Sequence, residues 1–112
     1  MEAFRKYFNE QQLQELANTG PNWGVNLKTL GHHEHPPQVA YPDPQHPSSH
    51  AFQWSEGRTL QEFQLVYIAQ GGGIYESEQT GELRVATGTL MLHFPGIWHR
   101  YQPNQETGWE EF

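Results

Sequence analysis

Histidine is the residue with which this chain of 112 residues could do the most varied chemistry, because imidazole binds metal ions and transfers protons near neutral pH. The sequence has seven histidines and no cysteine, which excludes disulfides and thiolate zinc sites. His32, His33 and His35 form one local group, and His46 and His50 form another in H-P-S-S-H. Loop histidines can chelate zinc or nickel adventitiously, but a structural zinc site needs four fixed ligands. We therefore predict neither a physiological metal ion nor another cofactor.

A second set of side chains combines flat aromatic rings with fixed hydrogen-bonding groups, which is what a pocket for a small polar molecule needs. Arg58 lies just before a long apolar segment, and its planar guanidinium can donate two parallel hydrogen bonds to vicinal hydroxyls or to a carboxylate. Trp98 and Trp109 can act as stacking platforms. The alternatives are structural: Arg58 can form a surface ion pair with Glu56 or Glu62, and the rings can fill the core.

The stretch of residues 31–49 is rich in proline and histidine, and its prolines exclude a helix or a central strand. We predict a long ordered loop here, called the Pro/His loop below. Residues 50–54 then have the alternation of a short strand, which places His50, Phe52 and Trp54 on one face. His50 and Trp54 are therefore further candidates for ligand contact.

The elements that must position these residues are mostly strands. In G-T-L-M-L-H-F-P-G-I-W-H-R-Y, residues 88–101, Leu90, Leu92 and Phe94 alternate with smaller or more polar neighbours, which is typical of a half-buried strand. Turn signals bound the run on both sides. The periodicity also predicts strands at 23–30, 63–69 and 98–101, a hairpin of 74–77 and 83–86, and one helix at 2–17. Closely spaced strands without alternating helices predict an antiparallel barrel or sandwich.

Composition excludes several functions. Thirteen acidic and six basic residues give a net charge of −7, the wrong sign for direct nucleic-acid binding. The sequence has neither an apolar run of membrane-spanning length nor an export signal, so we predict a cytoplasmic protein without a membrane partner. It also lacks a recognisable Ser-His-Asp spacing, and its glycine triplet at 71–73 precedes a strand rather than a helix. We therefore predict that the chain is not an enzyme.

Three segments together resemble one family. They are R-T-L-Q-E-F-Q-L-V-Y-I-A-Q-G-G-G from Arg58, residues 88–101, and T-G-W-E-E-F from Thr107. In this order and spacing the chain is similar to the N-terminal effector-binding domain of AraC-type bacterial transcription regulators. The resemblance implies an all-β fold, a cupin-like antiparallel jelly-roll barrel, here with a short N-terminal helix. We predict a helical arm at 1–20 and the barrel at 21–112, with the C-terminal helix-turn-helix DNA-binding domain absent from this chain.

The same resemblance implies a function. Such domains sense a small molecule, commonly a sugar, and help the regulator to dimerise. Family positions implied in ligand contact coincide with Arg58, Tyr101 and approximately Glu111. The full set of candidate ligand-binding residues is Arg58, Tyr101, Glu111, Trp98, His99, His50 and Trp54. The expected partners are a carbohydrate effector, a second copy of the chain, and DNA only through the absent domain. The N-terminal segment or the Pro/His loop is expected to close over the effector.

Two alternatives remain open at this point. The first is a small metal-dependent cupin enzyme, an isomerase or a dioxygenase. Enzymatic cupins hold their metal ion with two histidines, a carboxylate and a further histidine. His99 matches the last of these positions. Residues 57–61, where the first two histidines would lie, contain no histidine, and Gln64 stands near the carboxylate position. The second is a dimerisation module whose pocket is filled by its own side chains.

Overall fold

The computed structural model describes residues 4–19, 24–41 and 53–112. The chain divides into two compact units, Met1–His33 and Glu34–Phe112. Among the described residues, no helix is long and apolar enough to cross a membrane. The elements in chain order are β1 (Phe4–Tyr7), α1 (Glu10–Thr19), β2 (Thr29–His35), β3 (Arg58–Thr59), β4 (Gln64–Gly71), β5 (Gly73–Ser77), β6 (Gly81–Val85), β7 (Leu90–His93), β8 (Trp98–Pro103) and β9 (Trp109–Glu111).

The helix is shorter than the sequence predicts. Phe4 and Tyr7 lie in β1, which pairs antiparallel with β2, and the helix begins only at Glu10. Its start is set by a capping box: the Asn9 side chain accepts a hydrogen bond from the Gln12 backbone N–H at 2.8 Å, and the Gln12 side chain accepts one from the Asn9 N–H at 3.0 Å. The predicted helix at 2–17 is therefore wrong in its first two turns, because a strand precedes the cap.

A second correction concerns β2. The alternation of Val25 and Leu27 predicted a strand at 23–30, but both side chains are exposed and residues 24–28 are not in a strand; Trp23 lies outside the described residues. The strand begins at Thr29 and continues to His35, into the predicted Pro/His loop. Its buried side chains are His32 and His35, so polar residues conceal the usual apolar alternation.

The second unit contains two antiparallel sheets. One includes the order β9–β4–β7, and the other has the order β3–β8–β5–β6. The predicted hairpin is confirmed as β5 and β6, which pair from Gly73 opposite Val85 to Ser77 opposite Gly81. The buried core takes side chains from both sheets: Val66, Ile68, Val85, Met91, Tyr101 and Trp109. The predicted all-β, antiparallel fold class is confirmed.

The chain crosses from the first sheet to the second at the glycine triplet. Gly71 has a φ of 83°, in the left-handed region that favours glycine. A Cβ on Gly73 would overlap the carbonyl oxygen of Gln102 and lie 2.9 Å from Cζ3 of Trp109. Glycine at position 73 therefore lets β5 approach β8 closely and leaves room for the Trp109 ring beside it.

Candidate functional site

Arg58 is the centre of the candidate site. Its backbone lies opposite His99 in the short β3–β8 pairing. Its Nη2 donates to the Tyr101 hydroxyl at 2.6 Å and to Gln64 Oε1 at 2.8 Å, and its Nε donates to His99 Nε2 at 3.3 Å. The structure therefore brings together three predicted site residues, Arg58, His99 and Tyr101, with Gln64 as a fourth member. These four residues and the rings packed on them are called the Arg58 cluster below.

Strand β8 separates this cluster from a second group of side chains. His99 and Tyr101 are buried on one face of β8, while Trp98 and Arg100 alternate with them on the other face. Arg100 forms an ion pair with Glu76 at 2.6 Å. Its guanidinium carbon lies 4.2 Å from the centre of the Trp54 ring and 5.5 Å from that of Trp98.

Two of the predicted contact residues are thus placed with Arg100 rather than with Arg58. The Trp98 indole N–H donates to the Glu56 carbonyl at 2.8 Å, and the Trp54 carbonyl accepts from Arg100 at 2.8 Å. Both tryptophans therefore have structural partners on the outer side of β8. His50, a further predicted contact, lies outside the described residues.

His93 is the member of the cluster that sequence reasoning missed. It lies opposite Gln64 in the β7–β4 pairing, and its Nδ1 is 2.9 Å from Gln64 Oε1. Because Gln64 Oε1 is an acceptor that already binds Arg58, His93 must carry its hydrogen on Nδ1. The His93 ring stacks on His99 with centroids 3.9 Å apart and on Tyr75 at 5.7 Å.

The phase of β7 explains why His93 was missed. Leu90, Leu92 and Phe94 set the predicted apolar face, yet these side chains are 60, 44 and 44% exposed. Met91 and His93, the residues between them, are the ones that point into the core. The period of two was predicted correctly, but the inward face is the less apolar one. The sequence holds no local signal that would reverse this choice, because leucine is more apolar than histidine and the pairing with Gln64 is visible only in the fold.

Both histidines of the stack are neutral at physiological pH. Burial, with smaller repulsion from His99 and Arg58, lowers the pKa of His93 from 6.5 to about 2. Burial is also the main cause that lowers the pKa of His99 from 6.5 to about 4. Since His99 Nε2 accepts from Arg58, its hydrogen is on Nδ1, which is 3.2 Å from the Ile97 carbonyl oxygen. The stack thus presents acceptor nitrogens at both Nε2 positions.

Two buried polar atoms beside the cluster have no hydrogen-bond partner among the described residues. They are Nε2 of His93, a bare acceptor, and Nε1 of Trp109, a donor. Both side chains are 2% exposed, and both pack against the Tyr101 ring, with centroids at 5.1 Å for His93 and 6.0 Å for Trp109. An unsatisfied buried polar atom costs roughly 1–3 kcal/mol, so a group that donates to His93 Nε2 or accepts from Trp109 Nε1 would be favoured there.

A chain of hydroxyl groups connects Arg58 to an acidic residue on β9. Tyr101 accepts from Arg58 and is hydrogen-bonded to Tyr41, whose hydroxyl also donates to Glu111 Oε2 at 3.4 Å. His35 Nε2 lies 3.5 Å from the other oxygen of Glu111. Burial raises the pKa of both Tyr41 and Tyr101, so both phenols keep their hydrogens. Glu111, a predicted contact, therefore reaches the Arg58 cluster through Tyr41, which sequence reasoning missed.

The donor atoms of the cluster do not suit a metal ion. The Nε2 of His99 and the Oε1 of Gln64 already accept hydrogen bonds from Arg58, and the guanidinium would repel a second cation. Across residues 4–19, 24–41 and 53–112, no three His, Asp or Glu side chains are grouped to hold a metal. The unsatisfied acceptor of His93 and donor of Trp109 can instead hydrogen-bond a polar organic molecule.

A sequence model for the AraC-like ligand-binding domain matches residues 26–112, which include both sheets of the second unit and every member of the Arg58 cluster. Comparisons with curated proteins and with solved structures give no match. The motif order, the two antiparallel sheets and the family match agree, and the chain belongs to the family of AraC-like ligand-binding domains.

Proposed function

We propose that the chain is a non-catalytic sensor that binds a small carbohydrate at the Arg58 cluster. The family match supports a regulatory ligand-binding domain. The observation that carries the choice of ligand is the pair of unsatisfied atoms, His93 Nε2 and Trp109 Nε1, at the Tyr101 ring. A hydroxyl group both donates and accepts, so a polyol can satisfy the two atoms together. The surrounding rings supply flat surfaces for the C–H faces of a sugar.

The charges around the cluster also favour an uncharged ligand. Arg58 is at one end of the hydroxyl chain and Glu111 is at the other, so a cation and an anion face the same interior. Both histidines of the stack are neutral and both tyrosines are protonated. A charged ligand would meet one repulsive end, whereas sugar hydroxyls can accept from Arg58 and donate to Glu111.

Tyr41 offers a route from ligand binding to regulation. It belongs to the Pro/His loop of the sequence, and its hydroxyl binds Tyr101 and Glu111. Ligand hydroxyls compete for the same two partners, so we expect binding to shift Tyr41 between two arrangements. The proposed output is a change in the position of the DNA-binding half of an AraC-type regulator in the bacterial cytoplasm. In this proposal the domain also forms a homodimer.

The ring packing favours a second candidate function, a dimerisation module with a self-filled interior. Tyr75, His99 and Tyr101 each stack on the His93 ring, with centroids 3.9–5.7 Å apart, and Trp109 packs on Tyr101. If these side chains filled the interior permanently, no ligand would reach His93 Nε2 and Trp109 Nε1, and both atoms would stay without a hydrogen bond. Ligand titration therefore separates the two candidates.

The test is isothermal titration calorimetry against a panel of monosaccharides and sugar acids. We expect one neutral sugar to bind, and Arg58→Lys to weaken that binding at least 30-fold, roughly the value of one charged, forked hydrogen-bonding group. Arg100→Lys is the matched control, because Arg100 lies on the other face of β8 and should leave the affinity unchanged. Absence of binding by every sugar and sugar acid, or full binding by Arg58→Lys, would contradict the proposal.

A further inference from the structure

The outer face of strands β4 and β7 is apolar and exposed. Its side chains are each 42–64% exposed, although all are large hydrophobic residues. They are called the leucine face below and comprise Phe63, Leu65, Tyr67, Leu90, Leu92, Phe94 and Phe112. Soluble monomers rarely leave so many neighbouring large apolar side chains in water, so the face needs an explanation.

These side chains form one continuous surface. Leu65 lies opposite Leu92 in the β4–β7 pairing, and Tyr67 lies opposite Leu90. The Phe63 and Phe94 rings meet edge to face with centroids 5.6 Å apart. Phe112 exchanges both backbone hydrogen bonds with Tyr67, at 2.9 and 3.0 Å, which places the two side chains on the same face. All seven members are uncharged.

The size of the leucine face matches half of a stable interface. A large apolar side chain has roughly 150–250 Å² of surface, so seven of them at about half exposure present about 600 Å². This value is at the top of the range for the largest apolar patch of a monomer. Two such faces in contact would bury about 1,200 Å² in total, which reaches the lower limit of specific protein–protein interfaces.

We propose that the leucine face binds the same face of a second copy of the chain, as a twofold sheet-on-sheet interface. This inference rests on the proposed homodimer and assigns its surface. Two chains of net charge −7 repel each other, and an uncharged face is the surface through which they can approach most closely. The face has leucines at its centre and aromatic rings at both ends, so the two ends match when one copy is turned over onto the other.

A groove beside β7 adds a receiving site for the partner. It has a volume of about 220 Å³, and its lining includes Leu90 and Leu92 of the leucine face together with the Arg84 side of β6. Val85 and Met91, both buried, also line it. The volume suits one large apolar side chain, and such anchored side chains contribute most of the affinity of an interface.

The experiment is sedimentation equilibrium of the chain at micromolar concentrations. We expect a dimer for the natural sequence and at least a 30-fold weaker dimer for Leu65→Lys and for Leu92→Lys, since each places like charges against each other. The control is Val39→Lys, which introduces the same charge at a position that is 53% exposed and outside the face. Circular dichroism verifies that all variants are folded.

A charge-pairing measurement makes the test specific for a second copy. An equimolar mixture of Leu65→Lys and Leu65→Glu should form heterodimers, because opposite charges now meet across the interface. A monomeric natural chain would overturn both this surface and the proposed homodimer, without bearing on sugar binding. Persistent dimers in the lysine variants, or no heterodimer in the mixture, would overturn the surface alone.

Discussion

Removal of a single oxygen from Tyr101 tests the hydrogen bonds of the Arg58 cluster. The substitution Tyr101→Phe keeps the ring, and with it the contacts to His93 and Trp109. It removes the acceptor that Arg58 reaches at 2.6 Å and a hydrogen-bond partner of Tyr41. A hydrogen bond to a charged group contributes about 1.5–3 kcal/mol, and Arg58 keeps Gln64 as a second acceptor. We therefore expect the free energy of unfolding to fall by about 2 kcal/mol.

The assay is urea unfolding followed by tryptophan fluorescence, with Tyr75→Phe as the control. Tyr75 stacks on the same His93 ring, with an interplanar angle of 2°, so the control loses an equivalent oxygen from the same stack. No hydrogen bond of the Tyr75 hydroxyl is found among the described residues, so its removal should change the unfolding free energy by less than about 0.5 kcal/mol. Equal effects of the two substitutions would refute the idea that Arg58 is held by Tyr101.

Three further predictions follow from the same geometry. The folded-state pKa values of His93 and His99 are lowered from 6.5 to about 2 and about 4, so the unfolded chain takes up these protons first. Between about pH 6 and about pH 4, the free energy of unfolding should fall by about 1.4 kcal/mol per histidine for each pH unit, and below about pH 4 only His93 should contribute. In urea unfolding at several pH values, His99→Asn should remove about half of the slope above pH 4. A free energy of unfolding that stays constant between about pH 6 and about pH 4.5 would contradict neutral buried histidines. Gly73→Ala should lower the free energy of unfolding by at least about 2 kcal/mol, because the added Cβ would overlap the backbone of β8. Gly81→Ala should lower it by about 1 kcal/mol, because the new Cβ meets nothing within 4 Å and only the positive φ is unfavourable. Similar melting temperatures for the two variants would contradict the packing described. His93→Phe keeps a ring in the stack and should weaken the binding of the best sugar of the panel at least 10-fold, which is roughly the contribution of one hydrogen bond. Tyr75→Phe should leave the affinity unchanged. Unchanged binding by His93→Phe would show that His93 is not part of the ligand site.

The strands were predictable where the sequence has a clear period and clear breaks. The β5–β6 hairpin, the crossing at Gly71–Gly73 and the strand at 98–101 all follow from alternation bounded by turn residues. Arg58 and Tyr101 were candidates through the resemblance, and His99 lies on the same face of β8 as Tyr101, two residues before it. These features depend on local backbone geometry, which a single sequence encodes directly.

The remaining features depend on which face of an element is covered, and local pattern does not encode that. In β7 the leucines face outward, and His93 faces the core, where it is hydrogen-bonded to Gln64 across the sheet. In β2 the buried residues are histidines, so residues 31–35 lack the apolar alternation that predicts a strand. Tyr41 is joined to Glu111 over 70 positions of the chain, and only the folded structure shows such a pair.

The candidate ligand-binding residues separate into two groups in the structure. Arg58, His99 and Tyr101 meet as expected, whereas Trp54 and Trp98 pack around Arg100 on the other side of β8. Tryptophan is equally suited to a sugar platform and to a cation on the surface, so residue type alone could not separate the two roles.

A crystal structure of the chain with the tightest-binding sugar of the panel tests the central claim most directly. The account predicts a sugar hydroxyl within hydrogen-bonding distance of His93 Nε2, an oxygen of the same ligand near Trp109 Nε1, and Arg58 in contact with the ring hydroxyls. Sugar bound on the outer face of β8, or ordered water alone between His93 and Trp109, would contradict it.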